Sequence, residues 1–265
     1  MTIWLQLPTP YWKPIFDADF SFIFLIIYAT TAILFSVVGV LIWPLPFKQR
    51  YWVVSRWAVM NIWLLKIICG LKLEVEGREN IPNEPCVVLC KHQSAWETLA
   101  LQAVFPPQVW VLKRELLWIP FFGWGLASLR PIAIDRNAGR QALNQVIEQG
   151  KERLQSGAMV VVFPEGTRLP PGTIGRFGIG GARLAVDAGV PVVPVAHNAG
   201  SFWAKSGFLK RPGVIRMVIG AKIDTQVLSA TAVNQQVYDW MALTMTQLEG
   251  SAPVQFNKGE QRGES

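Results

Sequence analysis

The longest uncharged stretch of the chain begins at Phe20, and its part from Phe20 to Trp43 reads FSFIFLIIYATTAILFSVVGVLIW. A membrane helix needs about 20 apolar residues, so this stretch is long enough to cross a bilayer. A signal peptide is disfavoured, because the run is too long and Trp43-Pro44-Leu45-Pro46 is a poor cleavage site. The sequence therefore predicts an N-terminal membrane anchor. A shallow anchor that does not cross the bilayer is the alternative.

A second helix is predicted from Phe47 to Cys69, after Pro44 and Pro46 end the first one. It is apolar but carries Arg50, Arg56 and Lys66. Three basic charges within one membrane span would be costly, so we expect this helix to lie in the headgroup region rather than to form the second span of a hairpin. Residues 1–70 are accordingly predicted to be membrane-anchoring helices. The basic residues after the first helix predict that the rest of the chain faces the cytoplasm, at the cell inner membrane.

Composition narrows the classes of partner. The chain is 51% hydrophobic, only 16% charged, and has a net charge of +7. A basic surface suits nucleic acid, anionic lipid or a phosphorylated substrate. Nucleic acid is disfavoured, because the sequence has no zinc-finger spacing, no RNP-like aromatic motif and no basic helix. Membrane lipid fits the hydrophobic excess better. The three cysteines have apolar neighbours and no metal-ligand spacing, which predicts buried thiols in a reducing compartment.

From Gly70 onwards, short β-branched runs alternate with helical patterns, which predicts an α/β domain built on a mostly parallel central sheet flanked by helices. The domain is assigned to residues 71–250, and a disordered tail to residues 251–265. The predicted strands are Leu71–Glu76, Cys86–Cys90, Val109–Leu112, Pro131–Ile134, Met159–Phe163, Val190–Ala196 and Val214–Ile219. The predicted helices are Trp96–Val104, Asn137–Ser156, Ile179–Ala188 and Val233–Leu248.

One histidine is placed where a catalytic base is needed. His92 comes directly after a predicted strand, and Glu97 follows five positions later. If a helix begins near Ser94, the carboxylate can fold back to the imidazole and orient it as a general base for an alcohol. A capping carboxylate beside an exposed histidine is the equally weighted alternative. The other histidine, His197, has no carboxylate near it in sequence and is assigned to structure.

The segment Phe163-Pro164-Glu165-Gly166-Thr167-Arg168 also follows an apolar strand. Arg168 can bind a phosphate with two hydrogen bonds, and the backbone donors of such a loop can contribute to the same site. An ordinary turn is the alternative interpretation, since Pro, Glu and Gly are common turn residues.

Cations follow two further strands, as Lys113-Arg114-Glu115 and Asp135-Arg136. Either run alone is compatible with surface salt bridges. The carboxyl ends of parallel strands meet at one edge of a sheet, however, and ligand sites lie there. The sequence therefore predicts a site for an anionic substrate at that edge, and it shows no cluster of metal ligands.

Taken in order, these segments resemble the glycerolipid acyltransferase family, particularly its bacterial members that act on 1-acyl-sn-glycerol 3-phosphate. The resemblance covers Leu71 to Ile219. The family's four blocks correspond to His92–Glu97 (where most members have Asp in place of the Glu), Ile134–Arg136, Phe163–Arg168, which matches residue for residue, and the proline-punctuated strand Val190–Val195.

The resemblance implies a direct acyl transfer without a covalent intermediate. His92 and Glu97 would be catalytic, and the acceptor, lysophosphatidic acid, would be bound by Lys113, Arg136, Glu165, Gly166, Thr167 and Arg168. Glu165 is expected to orient the acceptor or Arg168. The co-substrate would be acyl-CoA or acyl-acyl carrier protein, with no cofactor and no metal. The alternatives are an acyltransferase for another lyso-lipid acceptor and a non-catalytic lipid-binding membrane protein.

Overall fold

The structure is a computed structural model that describes residues 13–135, 138–205 and 207–256. The described helices are α1 (Lys13–Leu41), α2 (Phe47–Ile68), α3 (Trp96–Val104), α4 (Phe122–Ser128), α5 (Arg140–Gln155), α6 (Gly180–Ala188) and α7 (Ala230–Glu249). The described strands are β1 (Leu71–Glu76), β2 (Val87–Cys90), β3 (Gln108–Lys113), β4 (Ile132–Ile134), β5 (Met159–Val162), β6 (Thr173–Gly175), β7 (Val192–His197), β8 (Gly213–Ile219) and β9 (Val254–Phe256).

Seven of these strands form one sheet in the order β1-β8-β7-β2-β5-β3-β4. All neighbouring pairs are parallel except β7 with β8. The predicted fold class is confirmed. Because β2, β5, β3 and β4 run in the same direction, the polar segments that follow them lie along the same edge of the sheet, as the sequence predicts.

Helices cover both faces of the sheet. Val88 and Cys90 of β2 point into the core beneath α1, α2 and α3, whereas Val87 and Leu89 point into the core beneath α5, α6 and α7. Strands buried on both faces need no polar residues, which explains the uninterrupted apolar runs in the sequence. All three cysteines are buried, as expected, and none of them forms a disulfide.

The turn between α1 and α2 is held by Arg50. Its guanidinium donates hydrogen bonds to the carbonyl oxygens of Trp43 (2.6 Å), Leu45 (2.9 Å) and Ser128 (2.5 Å). The first two acceptors lie in the turn and the third ends α4. Arg50 is therefore a buried structural residue, and its assignment to the headgroup region is wrong. Arg56 is exposed, and its guanidinium lies over the ring of the exposed Trp52.

The sequence missed α4, β6 and β9. Strands β6 and β9 form a parallel two-stranded sheet, in which Thr173 pairs with Val254. The expectation of disorder after Gly250 is therefore wrong for Val254–Phe256. Residues 257–265, the rest of the predicted tail, lie outside the described part of the chain.

Candidate active site

His92 and Glu97 are brought together at the carboxyl end of β2. Glu97 lies in the first turn of α3, and its Oε1 is 2.7 Å from Nδ1 of His92. The helix begins at Trp96, so the carboxylate reaches back across the loop that joins β2 to α3. The longer arm of a glutamate is accommodated by this geometry.

The carboxylate of Glu97 is held by several donors at once. The backbone N–H of Gln93 donates to Oε1, and that of Ser94 donates to both oxygens, at 3.0–3.1 Å. Burial raises the pKa of Glu97, but His197, His92 and the Ser94 N–H outweigh that effect and leave the pKa below its ordinary value. An ionised carboxylate only accepts hydrogen bonds, so Nδ1 of His92 carries the hydrogen and Nε2 keeps its lone pair.

The imidazole of His92 is also fixed by an aromatic ring. Phe163, the residue after β5, stacks on it with ring centroids 4.1 Å apart and an interplanar angle of 16°. The His92 side chain remains 12% exposed, whereas Glu97 is fully buried. The ring is thus held on one edge and one face while part of it remains open to a substrate.

The carboxylate of Glu165 is bound inside the fold. Its carboxylate accepts hydrogen bonds from Lys91 Nζ (2.7 and 2.9 Å), the backbone N–H of His92 (3.1 Å) and that of Gly175 (3.0 Å). Both side chains of the Lys91–Glu165 pair are fully buried. Glu165 therefore fixes the loop that carries His92, and a role for it in orienting the acceptor or Arg168 stays a prediction.

His197 lies beside the pair. It is fully buried, its Nε2 is 2.9 Å from the carbonyl oxygen of Lys91, and the Ala199 N–H donates to its Nδ1. Nε2 therefore carries the hydrogen of a neutral ring, and it lies 3.8 Å from Oε2 of Glu97. Burial lowers the pKa of His197, although Glu97 acts in the opposite direction. A carboxylate is close in space even though none is close in sequence.

The Phe163–Arg168 segment is joined to the His92 loop at a second point, because the Leu169 N–H donates to the His92 carbonyl oxygen at 2.8 Å. Gly166 has a φ of +68°, a left-handed conformation that favours glycine. The Thr167 hydroxyl accepts a 3.4 Å hydrogen bond from Lys205, an exposed cation that the sequence analysis missed.

The predicted cations are placed as follows. The half-buried Arg168 and the exposed Lys113 line the same cavity as His92. Arg136, the third predicted cation, lies outside the described residues. Two of the three phosphate-binding candidates thus border one site with the histidine.

That cavity has a volume of about 440 Å³ and is mainly apolar. Its wall is contributed by α1, α2, α3, β3 and α4, together with Phe163. The residues that line it are Tyr28, Ala32, Phe35, Ser36, Val54, Trp57, His92, Ala95, Thr98, Gln102, Trp110, Val111, Leu112, Lys113, Leu116, Phe122, Gly125, Leu126, Leu129, Phe163 and Arg168. An apolar chamber with an oriented imidazole and two cations at its lining suits an amphipathic, anionic substrate.

No group of three or more His, Cys, Asp and Glu side chains is arranged to hold a metal ion within residues 13–135, 138–205 and 207–256. The polar groups at the site include the His92–Glu97 dyad, the buried Lys91–Glu165 pair and the cations Lys113 and Arg168 of the cavity.

Comparisons with known proteins agree with this geometry. A family model described as Acyltransferase matches residues 72–198, which include every described residue of the dyad, the buried pair and the Phe163–Arg168 loop. A 1-acyl-sn-glycerol-3-phosphate acyltransferase of Pseudomonas aeruginosa is 47% identical over 238 residues, covering 88% of this chain and 91% of that protein. The chain belongs to the acyltransferase family.

Other relatives of this acyltransferase are more distant. Human 1-acyl-sn-glycerol-3-phosphate acyltransferase alpha is 36% identical over 150 residues, covering 55% of this chain and 53% of that protein. The crystal structure of the 1-acyl-sn-glycerophosphate (LPA) acyltransferase PlsC from Thermotoga maritima aligns with a TM-score of 0.76 at 24% identity, over 89% of this chain and 97% of that one. This structural likeness shows that the fold is shared.

Proposed function

We propose that this acyltransferase moves an acyl chain from an acyl thioester to the sn-2 hydroxyl of 1-acyl-sn-glycerol 3-phosphate, giving phosphatidic acid. The observation that carries the proposal is the His92–Glu97 dyad, 2.7 Å apart, on the wall of an apolar cavity that also contains Arg168. The name of the Pseudomonas relative supports the choice of acceptor.

The dyad provides the base. Nε2 of His92 takes the proton of the acceptor hydroxyl while the oxygen attacks the thioester carbon. Glu97 keeps the hydrogen on Nδ1 and stabilises the imidazolium that forms. As the new C–O bond forms, the C–S bond breaks, and the proton on Nε2 passes to the departing thiolate. The leaving thiol is that of coenzyme A or an acyl carrier protein.

Arg168 is the group best suited to the acceptor's phosphate. A guanidinium offers two parallel N–H donors that match phosphate oxygens, and Lys113 adds a second cation on the same cavity wall. This arrangement positions the glycerol beside His92. The apolar remainder of the cavity receives an acyl chain, and its volume falls within the range of about 300–1,000 Å³ that is usual for small-molecule sites.

Helix α1 is the proposed membrane anchor. Its segment Ala18–Leu41 is long and apolar enough to cross a bilayer. Large apolar side chains stay exposed along one face, at helical spacing: Phe22, Ile23, Ile26, Ile33, Leu34, Val37, Val40 and Leu41. We place the anchor in the inner membrane, with the sheet on the cytoplasmic side.

The packing of α1 favours a helix that lies in one leaflet. The Ser21 hydroxyl accepts a hydrogen bond from the Lys210 N–H (2.9 Å), and Thr31 accepts one from the Trp57 indole (3.1 Å). A Cβ added to Gly125 would lie within 2.8 Å of Ser36. These contacts span 15 residues, or about 22 Å of helix. A bilayer-spanning α1 would therefore draw the α/β domain into the hydrocarbon.

The function is tested by mixing the purified enzyme with an acyl thioester and following thiol release. Release is expected with lysophosphatidic acid and much less with a lyso-lipid that lacks the exposed phosphate. His92→Ala should abolish release, while Glu74→Gln, on an exposed position of β1, should not. Binding of lipid without release of thiol from the donor, whichever acceptor is added, would instead identify a non-catalytic lipid-binding protein.

The anchor is tested by washing vesicles that carry the protein. At about 1 M salt the Debye length is about 3 Å, so electrostatic attachment is screened whereas apolar burial is not. The protein should stay on the vesicles. Complete release by salt alone would contradict an inserted α1.

A further inference from the structure

Outside α1 and α2, exposed apolar side chains concentrate in one short stretch, residues 116–124, which we call the aromatic loop. Trp118 is 71% exposed and Trp124 is 50% exposed. Leu116, Ile119 and Phe121 are also exposed. Contiguous apolar patches on a protein surface mark a contact with a membrane or another molecule.

The aromatic loop contains a strained turn. The Phe122 N–H donates to the Pro120 carbonyl oxygen at 2.7 Å, closing a three-residue turn around Phe121. Phe121 has φ +62° and ψ −63°, a conformation that is rare and strained for a side-chain-bearing residue. The turn leaves the Phe121 ring exposed, 5.0 Å from that of Trp124. Such strain persists where the rest of the fold enforces it, and it is typical of functional segments.

The aromatic loop adjoins the membrane anchor. Its last three residues, 122–124, begin α4, which packs against α1 at two close approaches, Gly125 against Ser36 and Gly39 against Ser128. Beyond these contacts the exposed face of α1 continues through Val40 to Leu41. The loop therefore lies close to the end of α1, and both carry exposed apolar side chains.

The inner side of the aromatic loop faces the active site. Leu116 and Phe122 line the cavity that contains His92, whereas Trp118 and Trp124 do not. The loop is thus a wall between the cavity and the outside. Exposed cations, Lys113 and Arg114, precede it and match the charge of anionic headgroups.

We infer that the aromatic loop is a second membrane-inserted element, which dips into the same leaflet as α1 and forms the doorway through which a lipid's acyl chain enters the cavity. Trp and Phe side chains suit this depth, because indole rings favour the boundary between headgroups and acyl chains. The doorway rests on the proposed function, whereas insertion of the loop does not.

Insertion is tested with a single labelled cysteine. The native cysteines are buried, so an environment-sensitive fluorophore will react mainly at an introduced Trp118→Cys. Vesicles of phosphatidylethanolamine and phosphatidylglycerol should shift the label's emission to the blue, and brominated acyl chains should quench it. The same label at Leu243→Cys, an exposed apolar position on α7, should not respond. A label at position 118 that stays in water on bound vesicles would overturn the proposal. Shielding without vesicles would overturn it too and would identify a protein partner.

The doorway is tested with Trp118→Ser/Trp124→Ser. On long-chain substrates in vesicles, turnover should fall by about tenfold, equivalent to roughly 1.4 kcal/mol. With a short-chain, water-soluble donor and acceptor, the turnover of the double variant should match that of the wild type. Leu243→Ser should match the wild type on both. Equal turnover of the double variant on vesicles overturns the doorway. Failure of the wild type on the soluble pair would instead overturn the proposed function.

Discussion

The ammonium group of Lys91 donates to both carboxylate oxygens of Glu165, at 2.7 and 2.9 Å, in a place where neither side chain meets solvent. The two residues follow β2 and β5, which are parallel neighbours. The pair therefore joins the two loops that carry His92 and Arg168. The distance between these loops is fixed by a buried interaction.

Lys91→Met should destabilise the protein by about 3–5 kcal/mol, because it leaves the Glu165 carboxylate buried without its partner. Urea unfolding in detergent, followed by circular dichroism, measures the change. Lys91→Met/Glu165→Gln removes both charges and should recover part of the loss. Lys222→Met, which breaks an exposed ion pair with Glu84, should have little effect. A double variant less stable than Lys91→Met would contradict this account.

Glu97→Gln should lower kcat by about 10²–10⁴-fold, the range expected when a general base loses its function. The amide would face donors on both sides and would no longer stabilise the imidazolium. The acceptor's KM should change much less. Glu97→Asp keeps the charge but shortens the arm, so its kcat should lie between those of Gln and the wild type. Steady-state kinetics decide, and wild-type turnover in Glu97→Gln would remove Glu97 from the mechanism.

Arg168→Ala should weaken use of the acceptor by ~2–5 kcal/mol, since one partner of a charge-assisted contact is lost. Arg168→Lys should already be impaired, because lysine lacks the planar pair of donors. The donor's KM should hardly move. Arg183→Lys, an exposed arginine paired with Asp187 on α6, is the matched control. If Arg168→Ala mainly raised the donor's KM, another lyso-lipid would be the better candidate acceptor.

Acid should weaken the fold through His197. Burial holds its pKa below the ordinary value of 6.5, so the unfolded chain binds more protons as the pH falls below 6.5. The stabilisation that comes from keeping His197 neutral is therefore fully present above pH 6.5 and is lost as the pH falls below that value. The charged groups that face His197 are Glu97, Lys91 and His92, and Glu97 stays ionised in this window because its own pKa is lowered from 4.5. His197→Gln should lose less unfolding free energy than the wild type between about pH 7 and about pH 5. Equal losses would show that another group is responsible.

Local sequence patterns were sufficient to predict the seven strands of the main sheet. The strand Met159–Val162 and the helix Trp96–Val104 appear within a residue of their predicted ends, because apolar runs and helical periodicity depend only on near neighbours. Helix α4 was missed because its seven residues, FGWGLAS, contain two glycines and show no periodicity. Strands β6 and β9 are three residues each and pair across 81 positions of sequence, which no local signal reveals.

Contacts within the site were predicted where the two contacting residues are close in sequence. His92 and Glu97 are five positions apart, and a helix start between them was enough to bring them together. The contact of Glu165 with Lys91 was not predicted, because the two residues lie 74 positions apart. Arg50 was misassigned for the same reason, since one of its acceptors, Ser128, is 78 positions distant. Arg50 was taken to face the headgroups, whereas its guanidinium is buried and bonded to backbone carbonyl oxygens.

The fastening of α1 to the α/β domain has a kinetic consequence. Ser21 and Ser36 are held against the domain and Thr31 is held to Trp57 of α2, so an α1 embedded in one leaflet would keep the catalytic loop at one height above the bilayer. An enzyme anchored in this way would search for its acceptor by lateral diffusion in two dimensions. With the acyl donor kept at a saturating concentration, adding buffer to a fixed population of vesicles should leave the rate per enzyme unchanged. Diluting the acceptor with inert lipid inside those vesicles should lower it, because the quantity the enzyme senses is mole fraction in the surface.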